Sequence, residues 1–356
     1  MTPLSLSRKA LLSGVAASSL LAVAAPDDMT IDAATRAEVI GNTSKFIGAD
    51  YIYPELAEKM AADLRARQQR GEYDKLGSAK AFANKLTDDL RAVSQDKHLR
   101  VRFRTEPIAQ DQVTATESAE ELARYAVEAK ANNFGFRQVK LLDGNVGYLR
   151  LDAFDEPALA GPTATAAITF LANTDALIID LRNNGGGSPE MVQLLTSYLL
   201  GTTPVHLNDL YYRPQNATTQ YWSHAYVPGP RLTNTPVFVL TAKRTFSAAE
   251  EFSYNLQSLK RATLVGETTG GGAHPGDMYR VHSHFQVFVA NGKAINPITK
   301  TNWEGKGVVP EVPVAAADAL LSAHKLALEG IISRSRDDAG REAAKSALAS
   351  LTGGAK

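Results

Sequence analysis

Between about residues 30 and 95 the apolar positions recur at helical spacing. In "DAATRAEVIGNTSKFIGADYIY", Val39, Ile40, Phe46 and Ile47 fall near one face. "PELAEKMAADLRARQQRGEY" places Pro54 at a helix start and stops before Gly71. In "SAKAFANKLTDDLRAV", Phe82, Leu86, Leu90 and Val93 make one stripe. Three short amphipathic helices can bury such stripes against one another. Residues 26–95 are therefore expected to form a small helical N-terminal domain.

From residue 96 the period shortens. "HLRVRF" alternates as a half-buried strand does, and "NVGYLRLDAF", "ALIIDLR", "PVFVLTA", "ATLVGE" and "FQVFVA" are further short β-type runs. Helical segments lie between and after them: "ESAEELARYAVEAKANN", "PEMVQLLTSYLL", "AAEEFSYNLQSL" and "AAADALLSAHKLALEGIISR". Strands alternating with helices predict an α/β core domain with some parallel strands over residues 96–335. The end of the chain, 336–356, with "GREAAKSALASLTGGAK", reads as a weakly ordered tail.

The first stretch has a different character. "SLSRKALLSGVAASSLLAVAAPDD" carries two cations (Arg8, Lys9), an apolar run, and Ala22-Val23-Ala24 before Pro26. That is the order of a secretory signal, so residues 1–25 are expected to direct export, periplasmic or secreted, and then be removed. "SRKALL" also resembles a weakened twin-arginine signal. The apolar run is too short and too alanine-rich for a good membrane span, and no span is expected in the mature chain.

Composition changes the picture only by exclusion. The 356 residues hold 38 Lys+Arg against 38 Asp+Glu, and no basic run stands out, so nucleic acid is not an expected partner. There is no cysteine, which removes a thiol nucleophile, a cysteine metal cluster and a lipoprotein anchor.

Two stretches could carry chemistry. In "LIIDLRNNGGGSPEMV" three glycines, Gly185 to Gly187, separate an apolar strand from a helix start near Ser188-Pro189. Backbone N–H groups there can face an anion or oxyanion, or the segment is a plain tight turn. The spacing is not that of a phosphate-binding P-loop. In "RTFSAAEEFSYNLQSLKRATLVGETTGGGAHPG", Ser247 opens a helix, and Ser247-Ala248-Ala249-Glu250 spells a capping box. The same place suits a nucleophile, because the helix N-terminus stabilises developing negative charge and the Ala248 N–H points forward. A serine still needs a base, and the base an orienting partner. His206, His224 and His324 sit in segments without other catalytic signals. His282 and His284 lie two apart on an expected strand, and with His274 could suggest zinc, although no recognised ligand spacing completes them. His98 lies where the helical region meets the first strand.

The blocks "DKHLRV", "ALIIDLRNNGGGSPEMV", "TFSAAEEFSYNLQSLKRATLVGETTGGGAHP" and "NWEGKGVVPEVPV" occur in this order. Together they resemble the tail-specific (C-terminal processing) serine protease family, nearest the branch of interphotoreceptor retinoid-binding protein and its bacterial relatives. The likeness implies a crotonase-like ββα core. Members with a Ser–Lys dyad carry their lysine after "VGE-T", where this chain has Gly272. Likeness to the branch that includes the tricorn protease core implies Ser247 as nucleophile, His98 as base and Glu304 as orienting acid. Gly186 and Ala248 would then supply the oxyanion N–H groups. The implied reaction is acyl transfer on a peptide or unfolded protein, with no metal or cofactor. Three departures stand out: Lys97 precedes His98 where tricorn has serine, Gly305 replaces an asparagine after Glu304, and no PDZ-like insertion is seen. Because the retinoid-binding relative is a carrier, a non-catalytic carrier of apolar ligand or peptide is the alternative.

Overall fold

The computed structural model describes residues 28–109, 119–335 and 337–353, so the expected export signal lies outside the described residues. Three helices come first: α1 (Ala33–Asp50), α2 (Pro54–Gln69) and α3 (Ala79–Ser94). Local chemistry sets their ends. The Asp32 carboxylate accepts the Thr35 N–H at 2.8 Å, Pro54 opens α2, and Ser78 Oγ accepts the Ala81 N–H at 3.0 Å. Gln95, in the left-handed region at φ 60°, ends α3.

Their stripes do not close on one another alone. Phe82, Leu86 and Leu90 join one buried cluster with Val281, Phe285, Val287 and Val289. The latter lie on β9 (Gly276–His282) and β10 (Phe285–Ala290), which with β1 (Arg100–Phe103) form an antiparallel sheet in the order β1-β10-β9. Each fully buried large apolar side chain contributes about 1.5–3 kcal/mol. The division expected at residue 95 thus cuts through one packed unit.

The second layer system is a six-stranded sheet in the order β12-β8-β7-β4-β3-β2. Its strands are β2 (Phe136–Leu142), β3 (Val146–Leu151), β4 (Ala176–Asp180), β7 (Val237–Thr241), β8 (Ala262–Gly266) and β12 (Val312–Pro313). Only the β2–β3 pair is antiparallel. Every residue of β4 is buried, as its unbroken run "ALIID" requires of a strand covered on both faces. On one face lie α5 (Pro157–Phe170), α6 (Pro189–Leu199) and α7 (Ala248–Ser258), and on the other α8 (Ala319–Arg334) and α9 (Asp338–Gly353). α4 (Ala119–Ala131) precedes β2, and a third sheet in the order β11-β5-β6 joins β5 (His206–Tyr212), β6 (Ala217–Trp222) and β11 (Gly292–Ile295).

The expected weakly ordered tail is corrected: α9 places Ala344 and Ala347 in the same buried cluster as Ala323, Ala327 and Leu328 of α8. Its alanine-rich stripe is too weak to be read as a core face until α8 supplies the opposing one.

Candidate active site

Two loops leave the C-terminal ends of the adjacent parallel strands β4 and β7, where ligands gather in open α/β sheets. Asn184 ties them together. Its amide donates to the Leu151 carbonyl at 3.0 Å, its Oδ1 accepts the Gly186 N–H at 2.8 Å, and its carbonyl accepts the Phe246 N–H at 3.1 Å. Gly186 has φ 110°, and a Cβ there would lie 2.8 Å from Ser247 Cβ, so only glycine fits. Gly186 is beside Ser247, and its N–H is taken up by Asn184 Oδ1. Gly187 is the next residue of the loop and lines the cavity holding Ser247 and Ala248. Among the described residues, neither the Gly187 nor the Ala248 N–H is taken by a backbone or side-chain acceptor.

Ser247 adopts φ 57°, ψ −123°, a region natural only to glycine and costing on the order of 1–3 kcal/mol. The capping box expected from the sequence is present: the Glu250 carboxylate accepts the Ser247 N–H at 2.9 Å, and the Ser247 side chain meets the Glu250 N–H in return. The Glu250 N–H also donates to the Ser247 carbonyl at 2.8 Å. Ser247 lines a cavity of about 100 Å³ as well.

Glu250 does more than cap. Its Oε1 accepts from Thr269 Oγ1 at 2.5 Å and the Gly271 N–H at 2.6 Å, and its Oε2 also accepts the Gly272 N–H at 2.9 Å. Burial raises its pKa, and these donors oppose the rise. The glycine loop is held from the other side by Trp303, whose Nε1–H donates to the Gly272 carbonyl at 2.7 Å.

His98 follows directly on the end of α3. The Asp96 Oδ1 accepts its N–H at 2.8 Å and lies 3.9 Å from its Nδ1. The ring packs on Phe246 (centroids 4.6 Å apart) and Phe288 (5.9 Å). Burial pushes its pKa down to about 4, only partly offset by Asp96, so the imidazole is a neutral base at pH 7. A Cβ on Gly272 would stand 2.6 Å from His98 Cε1. Gly272 therefore joins the two groups: it lines the Ser247 cavity and lies against the His98 ring.

Glu304 sits behind this pair and is not hydrogen-bonded to His98. Its Oε2 accepts the Ala273 N–H at 2.5 Å and lies 3.5 Å from His274 Nδ1. His274 Nδ1 is in turn 3.1 Å from Asp96 Oδ2, which also accepts from Tyr51 OH at 3.2 Å. Burial raises Glu304 to about 7; His274 opposes the rise and Asp96 adds to it. Burial also favours the neutral form of Asp96, but its interactions with His274 and His98 together outweigh this and hold it below the usual carboxylate range. The ligand atoms of Asp96, His274 and Glu304 lie within 4.8 Å of one another, a spacing a divalent ion could also use.

Asp96, His274, Gly187 and the wider role of Glu250 were not singled out from sequence as parts of one site. Asp96 had a local signal, an acid two residues before His98; its meeting with His274 spans 178 residues and had none. His282 ends β9 and His284 occupies the turn before β10, while His274 faces Asp96 and Glu304.

Residues 145–314 match the family model of peptidase family S41, and residues 31–133 match that of the N-terminal domain of peptidase S41 in eukaryotic IRBP. The chain belongs to peptidase family S41. It is 27% identical over 175 residues to carboxyl-terminal-processing peptidase 2, chloroplastic, of Arabidopsis thaliana, covering 48% of this chain and 32% of that one. With a carboxyl-terminal-processing protease of Synechocystis sp. the identity is 31% over 128 residues, covering 36% and 28%. The matches thus span less than half the length of these relatives. Among solved structures, mature CPAF superposes with a TM-score of 0.56 at 14% identity, covering 80% of this chain and 94% of that one. A lipoprotein from Streptococcus agalactiae gives 0.53 at 13%, covering 83% and 97%. These likenesses establish the mixed α/β fold of this family member, with its helical N-terminal region and central sheet.

Proposed function

We propose that this chain is an exported serine endopeptidase that cleaves peptide or unfolded-protein substrates by acyl transfer. The observation that carries the reading is Ser247. A non-glycine residue is held in a strained conformation at a helix N-terminus, where it lines a cavity. His98, neutral and seated on the far side of Gly272, takes the Ser247 proton as the oxygen attacks the peptide carbonyl. The N–H groups of Gly187 and Ala248 receive the oxyanion, each contributing about 3 kcal/mol to lowering the barrier. The proton then passes from His98 to the leaving amine, and water releases the acyl group. Asp96 is the carboxylate beside His98, and Glu304 acts behind it through His274. Export rests on Arg8, Lys9, the apolar run and Ala22-Val23-Ala24.

The test is Ser247→Ala. Turnover of an unstructured peptide pool should fall about a thousandfold or more, and covalent labelling by a fluorophosphonate should vanish. Because Ser247 belongs to the capping box of α7, the loss of stability should stay modest, about 1 kcal/mol. An alanine variant with full turnover would remove Ser247 from the chemistry. A wild type that binds peptides but is neither labelled nor active would favour the carrier.

A further inference from the structure

The cavity at Ser247 has a feature that acyl transfer does not use. Glu251 lies four residues into α7 from Ser247, about one helical turn or roughly 6 Å along the axis, and lines the same cavity. The lining also includes the apolar side chains of Leu210, Ala294 and Trp303. Glu251 is only 5% exposed. The groups acting on it include Glu190 of α6, a second acid, with the amides of Asn208 on β5 and Asn255 on α7. Tyr212 and Tyr221 also face the two acids. No lysine or arginine is among the groups acting on Glu251. Asn208 and Asn255 are fully buried, and their amides approach the Glu251 carboxyl and oppose the rise of its pKa.

A buried carboxyl without a cation is costly in its charged form, and burial pushes Glu251 up to about 8. An incoming cation that also donates hydrogen bonds would relieve this. The cavity volume of about 100 Å³ equals roughly three waters at about 30 Å³ each, enough for one unbranched side chain. A lysine suits this lining: its four-carbon stem packs on apolar side chains and its ammonium brings three donors to Glu251.

We propose that the cavity is the specificity pocket for the residue on the acyl side of the scissile bond, and that Glu251 selects a lysine there. This rests on the peptidase reading above. Lysine binding ionises Glu251, whose proton leaves to solvent.

The experiment compares two peptides that differ only in lysine or norleucine at that position, which isolates the ammonium. The wild type should turn over the lysine peptide at least tenfold better in kcat/KM, and the preference should grow between pH 6 and pH 9 as Glu251 ionises more easily. Glu251→Gln should bring the ratio near one. Equal or better cleavage of norleucine by the wild type overturns the proposal, as does a ratio unchanged by Glu251→Gln. If that variant does not fold, the wild-type ratio and its pH dependence still decide. Fluorophosphonate labelling of Ser247 separates the two claims. A labelled, active enzyme indifferent to lysine defeats only the pocket assignment, whereas an unlabelled chain that cleaves neither peptide defeats both.

Discussion

Gly272 has no room for a side chain. A Cβ there would stand 2.5 Å from Phe246 Cε2 and 2.6 Å from His98 Cε1. A lysine at 272 and the histidine at 98 therefore compete for the same space. Gly272→Lys should displace both rings, cost about 1–3 kcal/mol of stability and lower turnover, without creating a lysine base. Thermal melts and a pH–rate profile check this; an active variant whose rate rises with a group titrating near 9 would refute it. Glu304 gives a second prediction through its proton. Its folded pKa of about 7 lies above the ordinary 4.5, so the native state holds a proton that the unfolded chain releases. That contribution to stability is present below pH 4.5 and is lost as pH rises through 7. His98 acts in the opposite sense. Its folded value of about 4 lies below 6.5, so its contribution is present above 6.5 and is lost as pH falls toward 4. Glu304→Gln removes only the first effect. Between pH 4 and pH 8 the variant should gain on the wild type by up to about 3 kcal/mol, read from urea unfolding. A constant difference across that range would show that Glu304 titrates normally.

At the scale of elements, the glycine loop hangs from α7 by one carboxylate. Glu250 accepts from Thr269, Gly271 and Gly272 as well as from Ser247, so every contact it makes is with a donor. Glu250→Gln puts an amide NH₂ against N–H groups. It should cost about 2–3 kcal/mol of stability and slow turnover more than it weakens substrate binding, because the seat of both Ser247 and Gly272 shifts. A variant with wild-type kcat and melting temperature would show that the loop holds its shape alone. This dual role also marks how far the sequence could be read. The Ser247–Glu250 spacing is local and visible, but the bonds to residues 269–272 exist only once β8 has carried the chain back. The same divide runs through the fold. β4, β7 and β8 are legible as short apolar runs, and α6 and α7 by their starts and stripes. α5 is not, because Gly161 and Pro162 interrupt it and its burial of Ala160, Ala164 and Ile168 is what stabilises it. β6 shows one buried residue in six, so its sequence carries little strand pattern.

At the scale of the whole molecule, the candidate site is a seam. Ser247 comes from the six-stranded sheet, whereas Asp96 and His98 come from the end of α3, beside the sheet β1-β10-β9. The two sides meet at few points: His274 with Asp96, the Lys97 Nζ with the Gly270 carbonyl at 2.5 Å, and the His98 ring with Phe246. The seat of the base therefore depends on the core beneath α3. Phe82 is fully buried there, packed edge-on against Tyr73 at 5.8 Å and Phe285 at 6.0 Å. Phe285 lies on the same strand as Phe288, which packs on His98. Phe82→Ala should cost about 3–5 kcal/mol of stability through the cavity it leaves. The loss should also be uneven. Amides of α3 and β10 should exchange faster in the folded variant, while those of β4 and β7 keep their protection, because local opening follows the contacts removed. Turnover measured well below the melting temperature should drop as well, since His98 is displaced while Ser247 is not. Hydrogen exchange followed segment by segment, alongside peptide turnover, makes the test. Equal loss of protection in all four elements would mean the two cores open as one, and the seam would then have no independent motion to transmit.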